Sequence, residues 1–387
     1  MHRASCPFLA TVILVLSAWP SLGTIAEPPV PNTLTAVEKA EGWLLLFDGA
    51  TAFGWNQGDK TELGKFHQWT GGATVEDAVM KTNGKEASVV AATTAFGLFD
   101  VSFEYRTEGG TDAEVGVAFG NRFHGYTLNQ GAGTAWRTVT GSVIADPKDG
   151  SRWIGWGQPV GARAQLKDEP AGTLYFASKP GTTLWVRNIK LRPTGLESIF
   201  NGKDLSGWKE VKTNRTKSVY TVTEQGELNV KDGPGDLQTE KEWDDFVLQL
   251  DVISNGKHLN SGVFFRAQPG QFWSGYEAQI RNQWEGDDRA KPVDFGTGGL
   301  YSYQKARRVV SSDHEYFKMT VVAQGNHLAV WVDGYQTADW VDTRKPDASA
   351  RRGLKLDKGC ISLQGHDPTT NLSFKNIRLA ELPKKAN

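Results

Sequence analysis

The chain has 387 residues, more than one ordinary domain holds, and two domains are the natural division. Its 43 basic and 44 acidic residues leave a net charge of -1, which excludes the basic face that a nucleic-acid partner requires. The 14 Trp and 43 Gly supply flat aromatic surfaces and tight turns, as suits an all-β, sugar-facing protein or an aromatic sandwich core.

The first residues read as an export signal spanning 1–26. His2 and Arg3 form a basic start, Phe8 to Trp19 is the apolar stretch, and Thr24-Ile-Ala26 offers small residues for cleavage. The apolar run is too short for a membrane span, so no spanning segment is expected and the mature protein is assigned to the periplasm or the exterior. There is no twin arginine, and Cys6 precedes the apolar stretch, so it is not a lipid-anchor cysteine. Cleavage after Ala26 leaves Cys360 alone, and no internal disulfide can form. Residues 27–40, with three prolines in Glu27 to Asn32, read as a flexible lead-in.

Two copies of one unit follow. Leu46-Phe-Asp-Gly-Ala-Thr-Ala-Phe-Gly-Trp55 matches Ile199-Phe-Asn-Gly-Lys-Asp-Leu-Ser-Gly-Trp208. Phe99 to Arg106 answers Phe246 to Val252, His124 to Gln130 parallels Ser274 to Ile280, and Leu184 to Leu191 parallels Leu372 to Leu379. Four matches in one order indicate a duplication, with domains at 41–193 and 196–383 and a boundary near Pro193-Thr-Gly195. From Tyr126 to Asn188 is 62 positions and from Tyr276 to Asn376 is 100, so the first copy is shorter. Part of the deficit is expected to be the hairpin His327 to Ala338, which turns at Asp333-Gly334. Short alternating segments between Gly, Asp and Asn turns predict an all-β fold of two tandem β-sandwiches.

The run Asn260-Ser-Gly-Val-Phe-Phe-Arg266, followed by Gly275-Tyr-Glu-Ala-Gln-Ile280, carries the strongest functional signal. Residues two apart on a strand share a face, so Glu277 and Gln279 stand side by side in a run that otherwise reads as buried. A sheet does not bury a carboxylate and an amide together without a reason.

These motifs, with Gly298-Gly-Leu-Tyr301, Ile361-Ser-Leu-Gln-Gly-His366 and Phe374-Lys-Asn-Ile377, resemble the 3-keto-disaccharide hydrolase domain family over residues 197 to 383. The resemblance implies a concanavalin-like jelly roll and a carbohydrate substrate whose ring carries a ketone at C3. The first copy departs from the pattern: Thr127 answers Glu277, and Phe176-Ala-Ser-Lys179 answers Leu363-Gln-Gly-His366. It reads as a degenerate copy, serving either as packing support or as a sugar-binding module.

A C3 ketone acidifies the hydrogen on C2 and makes the C1 oxygen a β leaving group. Proton abstraction, elimination of the aglycone and hydration then complete a net hydrolysis without two opposed carboxylates. Glu277 is the expected base, Arg266 the expected holder of the C3 oxygen, and His366 an acid, second base or metal ligand. The alternative for Glu277 and Arg266 is a structural ion pair with each other. Gln279, Asn260 and Gln364 are candidate hydroxyl contacts, and Tyr301 and Trp273 are candidate stacking surfaces, with core or turn roles as alternatives. No cofactor or metal is assigned. The acidic residues Asp287, Asp288 and Asp294 read as a solvated loop, with calcium the alternative, and Arg351 and Arg352 as exposed loop charges. A lectin-like binding module on the same face is the rival reading, and a tandem adhesion module a third. The aglycone, the linkage and the oligomeric state are not encoded in these motifs.

Overall fold

The computed structural model describes residues 30–57, 71–128, 133–157, 163–349 and 351–384. The expected export segment lies outside the described residues. Among those described, no helix is long and apolar enough to cross a membrane.

The expected all-β, two-sandwich fold is present. The first sandwich faces an eight-stranded sheet against a five-stranded one ordered Trp55–Gln57, Ser88–Phe96, Gly172–Ser178, Ala113–Phe119, Arg122–Thr127. The second repeats this design. Its eight-stranded sheet runs Val219–Val222, Leu228–Lys231, Asn371–Glu381, Phe246–Ser254, Phe317–Gln324, His327–Val332, Tyr335–Val341, with Glu197–Ser198 pairing the Asn371–Glu381 strand. Its five-stranded sheet is ordered Trp208–Glu210, Gly235–Thr239, Cys360–Gly365, Ser261–Ala267, Tyr276–Ile280. Every pairing between these strands is antiparallel, so each strand can bury one face in the core and turn the other outward.

The difference in length between the copies does not lie in the expected hairpin. The first sandwich has its own strands at those positions, Arg152–Trp156 and Arg163–Leu166. The extra residues sit in two other connections. Five residues link Arg122–Thr127 to Gly133–Ala145, whereas 36 link Tyr276–Ile280 to Phe317–Gln324. Five also precede Gly172–Ser178, whereas 18 precede Cys360–Gly365. Strand pairing conserves the hairpin as part of the sheet, and only connections can grow freely. The first leaves the five-stranded sheet after Ile280, beside Ser261, and the second enters it at Cys360, beside Ala267.

Burial along equivalent strands reveals how the sandwiches meet. Phe99–Glu108 alternates buried and half-buried residues throughout, the signature of a sheet with one open face. Its counterpart Phe246–Ser254 is buried continuously over its first five residues. The outward-facing Val247, Val322, Ala329 and Trp331 of the second sandwich belong to the hydrophobic core of the first. Trp331 lies 6.1 Å from Phe96, and its indole Nε1 donates to Leu45 O at 3.2 Å. The lead-in is docked rather than free: Asn32 is buried, its Nδ2 donates to Ala78 O, and its Oδ1 accepts from Asn188 N. Thr35 then caps a short helix, Ala36–Glu41, in a reciprocal capping box with Glu38.

Candidate functional site

Alternation along the five-stranded sheet of the second sandwich sorts its side chains cleanly. Leu237, Val263, Phe265, Tyr276, Ala278, Ile280, Ile361 and Leu363 enter the core. The opposite face receives Asp236, Gln238, Gly262, Phe264, Glu277, Gln279, Ser362 and Gln364. Two cross-strand rows result. One row holds Asp236, Gln364, Gly262 and Gln279, and the next holds Gln238, Ser362, Phe264 and Glu277. The expected pairing of Glu277 and Gln279 on one buried face is what the register produces.

Glu277 folds back over Gly262. A Cβ at position 262 would lie 2.3 Å from Glu277 Oε1, so only glycine leaves room for the carboxyl there. Glu277 is 9% exposed, and no hydrogen-bond donor among the described residues meets its carboxyl. Burial, with the nearby charges of Asp236 and Asp294, pushes it up to about 8, against a smaller pull from Arg351.

The second buried acid, Asp236, is a residue the sequence reading missed. It is fully buried, and burial pushes it up to about 8 as well. One oxygen, Oδ2, accepts the backbone N–H of Trp273 at 2.6 Å, while Oδ1 has no partner. A signal was available: Asp236-Leu-Gln238 repeats the acid–apolar–amide pattern of Glu277-Ala-Gln279 on another strand of the same sheet.

Around these two acids the structure gathers most of the expected residues. His366 ends the Cys360–Gly365 strand, and its ring stacks on Trp273 with centroids 5.6 Å apart and planes 3° from parallel. Its Nδ1 lies 2.8 Å from Asp367 Oδ2 and its Nε2 lies 3.3 Å from Asn260 Nδ2. Asp367 and Asn260 thus hold the ring from its two nitrogens and fix the direction in which Nε2 points. Burial raises the Asp367 carboxyl, but hydrogen bonds from Thr369 and His366 outweigh it and hold the group below the ordinary carboxylate range. Asn260 Nδ2 also donates to Asp294 Oδ2 at 3.1 Å. Tyr301 sits at the rim beside Phe295, its phenol raised by burial and by the charges of Asp294 and Glu277.

Two expectations change. Arg266 does not approach Glu277, either as a substrate holder or as an ion-pair partner. A β-bulge interrupts its strand between Phe264 and Ala267, and Arg266 takes a left-handed φ of 49°. The bulge turns the side chain out of the alternation, and it becomes fully buried elsewhere. There its Nε donates to Asp244 O, its Nη1 to Gly325 O and Lys355 O, and its Nη2 to Asp245 Oδ1 at 2.9 Å. Gln279, the other case, has its hydrogen-bonding capacity taken by protein: Nε2 donates to Asp294 O and Oε1 accepts from Ile280 N. It anchors the inserted loop instead of presenting a free amide.

That loop also corrects the reading of Asp294. It is not a solvated loop charge, since Asn260 and Gln279 both donate to it and Arg281 lies 3.8 Å away. Arg351 is exposed as expected, yet it stands at the mouth, 5.9 Å from the Trp273 ring and near enough to lower both buried acids. Trp273, Asp294 and Phe295 all adopt positive φ, at 49°, 48° and 70°. Such backbone strain in non-glycine residues concentrates at binding and catalytic sites.

Unpartnered polar atoms mark the same face. Asp236 Oδ1, Asn260 Oδ1, Trp273 Nε1, Ser362 Oγ and Gln364 Oε1 are all buried without a partner among the described residues. Each such atom costs about 1–3 kcal/mol unless a ligand or water completes it. Most are acceptors or hydroxyls, complementary to a ligand rich in O–H donors.

Among the described residues, the equivalent sheet of the first sandwich carries a different surface. Val89, Ala91, Ala118, Tyr175 and Ala177 pack together on the equivalent sheet. Tyr175 fills the space above Gly116, where a Cβ would meet its ring at 2.5 Å, and its hydroxyl donates to Glu114 Oε1 at 2.8 Å. Tyr175 thus covers the outer face of this sheet, the face that carries the buried acids in the second sandwich.

Residues 195–380 match the model of the 3-keto-alpha-glucoside-1,2-lyase-like domain, in agreement with the resemblance carried by the motifs. The match covers the second sandwich alone. No curated protein matches the chain. Among solved structures, the chain is similar to a proposed glycosyl hydrolase from Parabacteroides distasonis at 21% identity, covering 49% of this chain and 94% of that one, with a TM-score of 0.40. It is also similar to a carbohydrate-binding module from Bacillus subtilis (16% identity, 46% and 97% covered, TM-score 0.33) and to a β-glucanase from Bacillus licheniformis (13%, 49% and 99%, TM-score 0.33).

Proposed function

Taking residues 195–380 as a 3-keto-alpha-glucoside-1,2-lyase-like domain within a carbohydrate-active protein, we propose that this exported protein cleaves 3-keto glycosides at the Glu277 face. The observation that carries the reading is the buried acid Glu277, free of donors and raised toward neutrality, in the one copy that keeps His366. A carboxylate whose proton affinity lies near working pH is suited to general-base catalysis, and a binding module has no use for one.

Glu277 takes the proton from C2, and the C2–H electron pair forms an enolate with the C3 carbonyl. Collapse of the enolate breaks the C1–O bond. The proton held by Glu277 passes to the departing oxygen, leaving a 1,2-unsaturated ketone and the free aglycone. In the hydration step His366 takes a proton from water as the water oxygen bonds to C1, and the C1–C2 π pair moves toward C3 to form the enolate again. The proton held by His366 is returned through solvent to C2, which restores the imidazole and the C3 ketone. Asp367 positions the imidazole for that role. Arg351 and Tyr301 stand at the mouth, where a leaving group departs.

The test is release of a chromogenic aglycone from a 3-keto glucoside by wild type and Glu277→Gln. Turnover by wild type with a loss of roughly a hundredfold or more in the variant supports the assignment. Sugar binding without turnover in either protein leaves a lectin-like module. Running the wild-type reaction in D2O separates the routes, since elimination and hydration place deuterium at C2 and direct hydrolysis does not.

A further inference from the structure

Enolate chemistry on a ketone needs a donor for the oxygen on which negative charge collects, and the turn of Arg266 out of the site leaves that role open. Asp236 has the geometry to fill it. Its side chain is wholly enclosed on the same face as Glu277. No cation lies within ion-pair distance of it among the described residues, as the nearest positive charge is Arg351 at the mouth. The Trp273 N–H fixes Oδ2 as an acceptor, so a proton on this carboxyl resides on Oδ1. Oδ1 makes no hydrogen bond of normal geometry in the protein, although the Ser362 hydroxyl, likewise unpartnered, is near enough to lower the carboxyl. The carboxyl is therefore oriented by one oxygen and keeps the other, enclosed on the Glu277 face, available to a ligand group.

We propose that Asp236 is a neutral carboxylic acid whose Oδ1–H donates a hydrogen bond to the C3 oxygen of the substrate as the enolate forms. This rests on the 3-keto glycoside reading above. The C2–H pair moves into the C2–C3 bond, the C3–O π pair moves onto oxygen, and the Asp236 proton is shared with that oxygen without being lost. On collapse the charge leaves O3 and the proton returns to Oδ1, so the acid is regenerated each turnover. Glu277 and Asp236 thereby divide the work: one carboxyl gives up its proton to act as base, and repulsion between the two keeps the proton on the other. The charged and titratable groups facing Asp236 are Arg351 from the inserted loop, Glu277 across the sheet and Tyr220 from the Val219–Val222 strand. Burial, and the ionised Glu277 once it acts as base, disfavour a negative charge on Asp236 and keep its proton in place.

Asp236→Asn separates this role from a basic one, because an amide also donates a hydrogen bond but cannot accept a proton. With a 3-keto glucoside, Asp236→Asn is expected to retain kcat/KM within about tenfold of wild type and to lose the alkaline fall in its pH profile. Asp236→Ala, lacking any donor, is expected to lose roughly 100- to 1,000-fold, as for an oxyanion donor. Equal losses in Asn and Ala variants overturn the proposal. A second readout does not depend on turnover: in the Glu277→Gln background, infrared spectroscopy of the free protein at pH 7 should show a protonated-carboxyl C=O band that the further change Asp236→Asn removes. Absence of that band overturns the proposal even where wild type is active. If the band is present and no keto glycoside turns over, the donor stands and the 3-keto reading of its substrate falls.

Discussion

At the scale of single residues, the two raised acids tie function to stability. In an unfolded chain Asp236 and Glu277 ionise near their ordinary values of 3.8 and 4.5, whereas in the fold both hold their protons up to about 8. Between those limits the native state binds protons that the unfolded state has released. Stability therefore falls as pH rises across this window and levels off above it. Replacing either acid by its amide removes one ionisation from the native state. Asp236→Asn and Glu277→Gln are each expected to raise the melting temperature at pH 8 relative to wild type and to leave it little changed at pH 4. Thermal melts over pH 4 to 9 check this. A uniform shift at every pH would mean that packing, and not protonation, sets the difference.

The strand is the scale at which the sequence was most and least informative. Period-two alternation sufficed to put Glu277 beside Gln279 and to predict the sandwiches, because it depends only on neighbours along the chain. The same rule misplaced Arg266, since a bulge resets alternation and nothing in Val263-Phe-Phe-Arg266 announces one. Asp294 and Arg351 were not legible as site residues because long-range pairing of the inserted loops brings them there, as in the Gln279 N–H to Gly299 O bond. Asp236 was legible and overlooked.

Gly262 offers a test at this level. A methyl group there meets the far end of the Glu277 side chain, which can move, while the strand itself stays paired. Gly262→Ala is thus expected to displace the carboxyl more than it disturbs the sheet. The forecast is a loss of roughly tenfold to a hundredfold in kcat/KM, comparable to misplacing a catalytic group by about 1 Å. Stability should change by only about 1 kcal/mol. Denaturant unfolding beside steady-state kinetics reads both, and a variant as active as wild type would show that the carboxyl need not lie over residue 262.

Across the whole molecule, the second sandwich carries the candidate site and the first covers its eight-stranded sheet. The first sandwich has Tyr175 on the outer face of its own five-stranded sheet and lies against the second through Val247, Val322, Ala329 and Trp331. Those four residues face outward from their own sandwich, so without the first copy they would form an exposed apolar patch. Burial of the second sandwich's eight-stranded sheet on both faces is thus a property of the pair. Trp331 is the centre of this contact, nearly fully buried and hydrogen-bonded to Leu45 O. Truncating it leaves a cavity and an unpaired carbonyl, at a cost of about 3–5 kcal/mol. Because the contact lies on the sheet opposite the one that carries Glu277, Trp331→Ala is expected to lower the melting temperature while kcat/KM of the folded protein stays near wild type. Calorimetry and kinetics on the same sample separate the two effects. A selective loss of activity at unchanged stability would instead mean that the first sandwich tunes the geometry of the distant face, and packing support would no longer describe its role.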